Sequence, residues 1–241
     1  MKILTWNVER LKHSKKSILD KIEEFKADII VLTETSSELT LNANYNSKST
    51  KSLNATFDNV TYKLGENRTT IWTKYRILKS HKTFDNFTSV WSEIETEFGI
   101  LNVYGTIIGV FGGKGTRFET DLNGQLNDFE NFDKTASNCI IGDLNVYFSG
   151  YAYPSHKARN TLNQIFERLE MENFTSEIEE NVDHIIISKE FVKNKIIQIE
   201  TWNLDKKLSD HKGICITIKE KEKRSHNSKG FVASERRTPE A

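Results

Sequence analysis

A chain of 241 residues, 37% of them hydrophobic, is long enough for one sizeable core and contains no stretch that reads as a linker between two. Its 34 basic and 34 acidic residues cancel, which argues against the strongly basic body that tight, non-specific nucleic-acid binders present. No run approaches the roughly 18 apolar residues that span a bilayer, and Met1 to Trp6 reads as a strand lacking a signal-peptide apolar region, so a soluble, cytoplasmic protein is expected.

In chain order, residues 2–8 read as a strand, and Ser14 to Lys26 as a helix with Ile18, Leu19, Ile22 and Phe25 on one face and Ser14 or Ser17 as its cap. Residues 28–32 are a continuous apolar run of strand length, buried on both faces, that delivers Glu34 at its carboxyl end. Residues 36–59, rich in Asn, Ser and Thr, read as loop or short edge strands. Strands are expected at 67–73, 90–97 and 100–106, with Phe98-Gly99 turning the last two into a hairpin. A helix is expected over 118–134, a strand over 138–142, a helix over 157–169, and strands near 182–188, 196–202 and 213–219.

Residues 1–218 are thus expected to form one domain, and 219–241, charged and poor in apolar residues, a disordered tail. The tail carries seven Lys/Arg against four Asp/Glu, leaving a net charge of −3 on the body. Cys139 and Cys215 each lie inside an apolar run and read as buried reduced thiols. Hairpin-linked strands and a few helices imply an α/β, four-layer α-β-β-α sandwich of two packed, mainly antiparallel or mixed sheets.

Polar groups recur at the ends of the apolar runs: Trp6-Asn7, Thr33-Glu34, Gly142-Asp143-Leu144-Asn145, Val182-Asp183-His184 and Ser209-Asp210-His211. A core cannot use them, so several strand ends must meet at one polar pocket. Together with Asn102-Val103-Tyr104, these segments resemble, in order and over residues 1 to about 218, the endonuclease/exonuclease/phosphatase superfamily. That family includes apurinic/apyrimidinic endonucleases, pancreatic-type deoxyribonucleases, sphingomyelinases and inositol polyphosphate phosphatases. The resemblance implies a catalytic domain that hydrolyses phosphodiesters with Mg²⁺, or alternatively Mn²⁺.

The chemistry explains the residue types. A phosphodiester repels hydroxide, and its in-line transition state gathers more negative charge, so a cation and hydrogen-bond donors must face it. Mg²⁺ needs only one or two carboxylates plus water and substrate oxygens. Glu34 with the amide oxygen of Asn7 fits such a site, and Asp210 faces the metal or a second, weaker one.

By resemblance Asp143 orients or deprotonates the attacking water, and Asn145 fixes that carboxylate and donates to the phosphate. His211 is the donor to a non-bridging oxygen, with Asp183 on its other ring nitrogen. Tyr104 resembles a family tyrosine whose hydroxyl reaches the phosphate, with a core tyrosine as the competing reading. Lys114 and Arg117, beside the glycine-rich stretch 109–115, are candidates for a distal phosphate, solvated loop charge being the default reading. His184 alternates to the opposite face of its strand and reads as structural, while His13, His81, His156 and His226 stay outside the site.

Three positions depart from the family pattern. Glu9 stands where many nucleases have Asp, Thr33 where glutamine is common, and Ile107 where abasic-site endonucleases carry a phosphate-contacting asparagine. Apolar Ile107 cannot replace that donor, so the resemblance carries the chemistry further than the substrate. Nucleic acid is the expected substrate. The alternatives are a small phosphoester, which the net charge of −3 favours, and a catalytically silent interaction domain on the same scaffold.

Overall fold

The computed structural model describes residues 1–221 except 54, 55, 58, 110–112 and 134. In chain order the elements are β1 (Lys2–Asn7), α1 (Lys15–Phe25), β2 (Ile29–Ser36), β3 (Asn46–Ser49), β4 (Thr56–Phe57), β5 (Val60–Thr61), β6 (Glu66–Thr73), β7 (Arg76–His81), β8 (Ser89–Thr96) and β9 (Gly99–Ile107). They continue with α2 (Gly115–Glu130), β10 (Ser137–Asp143), α3 (His156–Arg168), β11 (Met171–Asn173), β12 (Asp183–Ser188), α4 (Lys189–Val192), β13 (Lys195–Trp202) and β14 (Gly213–Glu220).

Two six-stranded sheets, ordered β13-β14-β1-β2-β6-β3 and β11-β12-β10-β9-β8-β7, are stacked face to face. Both are mixed, because β1 with β2 and β9 with β10 are parallel and the other pairs antiparallel. Period-two alternation divides the apolar residues between the faces. Ile3, Ile29, Val31, Val103, Cys139, Ile141, Ile185 and Ile216 fill the space between the sheets. Leu4, Trp6, Ile30 and Leu32 point the other way and are covered by Ile18 and Ile22 of α1. On the second sheet Tyr104, Ile140 and Ile186 are covered by Phe118, Leu122 and Phe129 of α2 and Leu162 and Phe166 of α3. This is the four-layer sandwich expected from the sequence. No helix among the described residues is long and apolar enough to cross a membrane.

The differences from the sequence reading lie at the edges. β7 was not expected: it is an edge strand with a register shift between Ile77 and Lys79 and mostly exposed side chains, so no apolar alternation betrays it. α2 begins three residues before Phe118 and ends at Glu130, and Lys134 lies outside the described residues. β14 continues to Glu220, paired with β13 two residues past the expected domain end, whereas 222–241 lie outside the described residues. Ser14 caps α1, accepting from the Ser17 N–H. Cys139 and Cys215 are buried and free.

Candidate active site

The site lies at one end of the sandwich, where chain termini of strands from both sheets converge. On β1 the alternation that places Ile3 and Thr5 between the sheets brings Asn7 to the same face at the strand's end. On β10 it does the same for Asp143 after Cys139 and Ile141. The two side chains meet there, Asn7 Nδ2 donating to Asp143 Oδ2 at 3.1 Å and joining one sheet to the other. Gly142, at φ +132°, is obligatory beside them, since a Cβ would lie 2.1 Å from the Thr106 carbonyl oxygen on the neighbouring strand.

Glu34 reaches the site by a different device. Continued alternation would send it to the α1 side with Ile30 and Leu32, but its φ of +49° breaks the pattern and turns it into the cleft. No hydrogen bond or ion pair from the described residues satisfies its carboxylate. A left-handed turn at Glu9, Arg10 and Leu11 follows β1 and brings Glu9 beside the same cleft, where Oε2 accepts from the Asp210 N–H at 3.1 Å.

The loop before β14 supplies the imidazole. Ser209 Oγ donates to the Asn7 carbonyl at 2.6 Å and accepts from the His211 N–H at 3.1 Å. The His211 carbonyl accepts from Trp6 Nε1 at 3.1 Å and from Asn203 Nδ2 at 2.7 Å. With its backbone so pinned, His211 places Nδ1 2.6 Å from Oδ2 of Asp183, which begins β12. Burial opposes a charge on His211, but the carboxylates of Asp183, Asp143 and Asp210 outweigh it and push the imidazolium up to about 10. Burial pushes Asp143 upward, aided by the charges of Asp183 and Glu34 and opposed by His211.

Seven of the ten residues singled out in the sequence, Asn7, Glu34, Asp143, Asn145, Asp183, Asp210 and His211, therefore come together, all but the buried Asn7 lining one cleft of about 460 Å³. Details differ. The Asn7 amide oxygen, expected at a metal, accepts the Glu9 N–H at 2.9 Å, and its nitrogen holds Asp143. Asn145 fixes Asp143 through its backbone, its N–H donating to Oδ1 at 3.0 Å, because the chain turns there (φ +51°) instead of remaining extended. Its side-chain nitrogen donates to the Ile108 carbonyl. Asp210 is largely exposed, at the mouth beside His211 Nε2, 3.7 Å away.

Three expectations are corrected. Tyr104 is fully buried on the helix-covered face of β9, opposite in parity to Val103, and its hydroxyl donates to Asp128 Oδ2 at 2.7 Å. It is a core tyrosine, the competing reading of the sequence. Arg117 bridges Asp121, at 2.9 Å, and Asp85, at 2.7 Å, tying α2 to the segment before β8. Lys114 is the exposed residue preceding α2 and lines a separate depression with Phe118 and Pro154. Of the stretch 109–115, residues 110–112 lie outside the described residues.

The sequence reading missed further residues that line the cleft: Arg68 with its partner Tyr62, and the paired rings of Tyr147 and Tyr153. Arg68 lies within a strand that reads as ordinary β pattern, so only its charge amid buried Thr neighbours signalled it. His184 is structural as read, buried between Thr175 and the Val146 carbonyl.

No group of three or more His, Cys, Asp or Glu side chains among the described residues is placed to hold a metal ion by itself. The donor set instead suits a hard, open-site cation: Glu34 has an unsatisfied carboxylate, Asp183 Oδ1 is buried without a partner, and Glu9 and Asp210 stand alongside.

The chain's sequence matches the family model described as "Endonuclease/Exonuclease/phosphatase family" over residues 4–211. No curated protein matches it. Its fold is similar to that of an endonuclease/exonuclease/phosphatase from Beutenbergia cavernae (TM-score 0.67, 13% identity, 91% of this chain and 71% of that one). It is also similar to the endonuclease domain of TRAS1, a telomere-specific non-LTR retrotransposon (0.67, 13%, 91% and 97%). A third similar structure is an AP endonuclease from Archaeoglobus fulgidus (0.65, 14%, 90% and 98%). With its model matched across most of its length, the chain belongs to the endonuclease/exonuclease/phosphatase family.

Proposed function

We propose that this protein is a Mg²⁺-dependent phosphodiester hydrolase acting on nucleic acid. The observation that carries the reading is the convergence of Asp143, held between two amides, and the Asp183–His211 pair on the cleft that Glu34 also enters. Asp143 orients the attacking water and takes its proton, a task suited to a carboxylate whose burial raises its proton affinity. His211, kept protonated by Asp183, donates from Nε2 to a non-bridging oxygen as charge accumulates. Glu34, with Glu9 and Asp210 alongside in the cleft, would hold Mg²⁺ or Mn²⁺, which would supply charge neutralisation at the phosphate.

Two features favour nucleic acid over a small phosphoester. Tyr62, Tyr147 and Tyr153 line the cleft together with Arg10, Arg68 and Lys212, and aromatic rings beside cations are the groups that stack bases and track a phosphate backbone. Two similar structures are an endonuclease domain and an AP endonuclease.

The test is a panel of supercoiled plasmid, single-stranded DNA, RNA, sphingomyelin and bis-p-nitrophenyl phosphate in Mg²⁺, with Asp143→Asn and His211→Ala as controls. Cleavage of at least one nucleic acid, reduced about 10²-fold or more in each variant, is expected. Turnover of sphingomyelin with none of any nucleic acid would move the substrate to the small-phosphoester class. Equal inactivity of all three proteins on every substrate would leave the silent-scaffold reading.

A further inference from the structure

Across the sheet from Glu34 stands a charge that no step above uses. Thr33 pairs with Thr69 and Thr35 with Asn67, which brackets Glu34 on β2 and Arg68 on β6 between the same two rungs of the ladder. Arg68 is 2% exposed and lines the cleft. Its Nη1 donates to the Tyr62 hydroxyl at 3.2 Å and its Nη2 to the Gly109 carbonyl at 2.5 Å, while Nε has no partner among the described residues.

Neither hydrogen-bonded partner is an anion. Glu66, the acid on the same wall, accepts from both Nε and Nη2 of Arg10 and from the Lys63 N–H. Asp121 is bound to Arg117 and to the Gly109 N–H, and feels the charge of Arg68 across that peptide without touching it. A guanidinium cannot shed its proton, and one buried with no carboxylate in direct contact keeps donor capacity for an anion. The cleft is where an anion can enter.

We propose that Arg68 is an anion receptor that holds a second phosphate of the substrate, next to the phosphodiester being cleaved. The sheet order separates the two positions. Asn7 on β1 marks the reacting end, and β6 lies two strands away, about 10 Å at the usual strand spacing. That offset between the strands suits a phosphate adjoining the one that Asp143 and His211 flank. Tyr62, which accepts from Arg68 and whose ring lies 4.6 Å below the Arg10 guanidinium, lines the same cleft. The preferred substrate is therefore a phosphodiester with an adjoining phosphate, as in a polynucleotide strand, and not an isolated diester. This inference rests on the phosphodiesterase reading, and the experiment separates the two.

Cleavage of the thymidine dinucleotide TpT is compared with that of its 5′- and 3′-phosphorylated forms in wild type and Arg68→Met. In wild type one phosphorylated form is expected to be cleaved with kcat/KM about 10- to 100-fold above TpT, the worth of one charge-assisted contact. In Arg68→Met that ratio falls to near one, and Arg68→Lys keeps part of it. In EDTA, calorimetric titration with thymidine 3′,5′-bisphosphate is expected to give binding to wild type that Arg68→Met weakens by the same factor. Should Arg68→Met not fold, Arg68→Gln replaces it, retaining a donor for the Gly109 carbonyl. A wild-type ratio of one, a ratio that survives in a folded variant, or bisphosphate binding that is absent or equal in both proteins overturns the proposal. Failure of wild type to cleave any diester, with Arg68-dependent binding intact, overturns the hydrolase reading and leaves the receptor standing.

Discussion

Nδ1 of His211 lies 2.6 Å from Oδ2 of Asp183, and the other carboxylate oxygen of Asp183 is buried without a partner among the described residues. Burying a carboxylate so incompletely satisfied is costly unless its charge is needed, and here it keeps the imidazole protonated and aimed at the cleft. Asp183→Asn keeps the shape but removes that charge. We expect kcat on a phosphodiester to fall about 10²- to 10⁴-fold. The alkaline limb of kcat/KM should shift as well. In wild type it follows His211 near pH 10, and in the variant it should move down toward the ordinary histidine range. An unchanged limb would show that His211 does not work as a proton-bearing donor.

Glu34 carries the metal expectation. A cation bound only by the folded protein stabilises it by RT ln(1 + [L]/Kd), about 1.4 kcal/mol at ten times Kd, or about 3–5 °C in Tm for a chain of this size. Mg²⁺ or Mn²⁺ should raise the melting temperature of wild type by this amount, and Glu34→Gln should abolish the rise. A wild type indifferent to both cations would favour a silent scaffold.

Tyr104→Phe tests a correction. Because the hydroxyl serves Asp128 on the far side of β9, its loss should cost about 1–2 kcal/mol of stability and leave kcat/KM within about twofold of wild type. A loss of activity comparable to that of His211→Ala, with the fold intact, would return Tyr104 to the chemistry.

These residues show what the sequence could and could not convey. Most strands and the three long helices were legible because alternation and helical spacing are local, whereas Asp143 and Asp183 were singled out by resemblance; in the structure each shares a face with the inner-core residues before or after it. The same parity rule, applied to Tyr104 beside Val103, points the tyrosine away from the site. Glu34 was found although alternation would have misplaced it, since its positive φ is invisible in sequence. The tyrosines that line the cleft escaped because nothing local distinguishes a cleft-lining residue from a core or surface one, and Arg68 because a charge amid Thr neighbours was its only local mark. Arg117 looked available to substrate because its partners, Asp85 and Asp121, are 32 and four residues away.

Gly142→Ala should be among the most damaging small substitutions. The added methyl would meet the Thr106 carbonyl at 2.1 Å with φ at +132°, so β10 must shift away from β9 and take Asp143 with it. We expect a loss of at least about 2 kcal/mol in stability and a fall in kcat out of proportion to any change in fold. Equal stability and activity in the variant would mean that the two strands are less closely coupled than their register implies.

His184 gives the pH dependence its cleanest handle. It is fully buried, and burial lowers its proton affinity to about 4, only partly offset by the Val146 carbonyl and the Asp183 charge. In the unfolded chain the ring titrates near 6.5, so between pH 6.5 and 4 the unfolded state holds a proton that the folded state refuses. Stability from this group is therefore complete above pH 6.5 and is lost as pH falls toward 4, by about 3 kcal/mol in all. Asp143 acts in the opposite direction over part of the same window, its raised proton affinity favouring the folded state as pH falls. His211, also raised, gives its full contribution below 6.5 and adds no slope there. Comparison of wild type with His184→Gln isolates the histidine. Denaturant midpoints measured in EDTA from pH 7.5 to 4.5 should fall more steeply in wild type than in the variant, with the two curves converging toward acid. Parallel curves would mean that His184 is charged inside the folded protein, which its bond to the Val146 carbonyl and its neighbour Thr175 would then have to support.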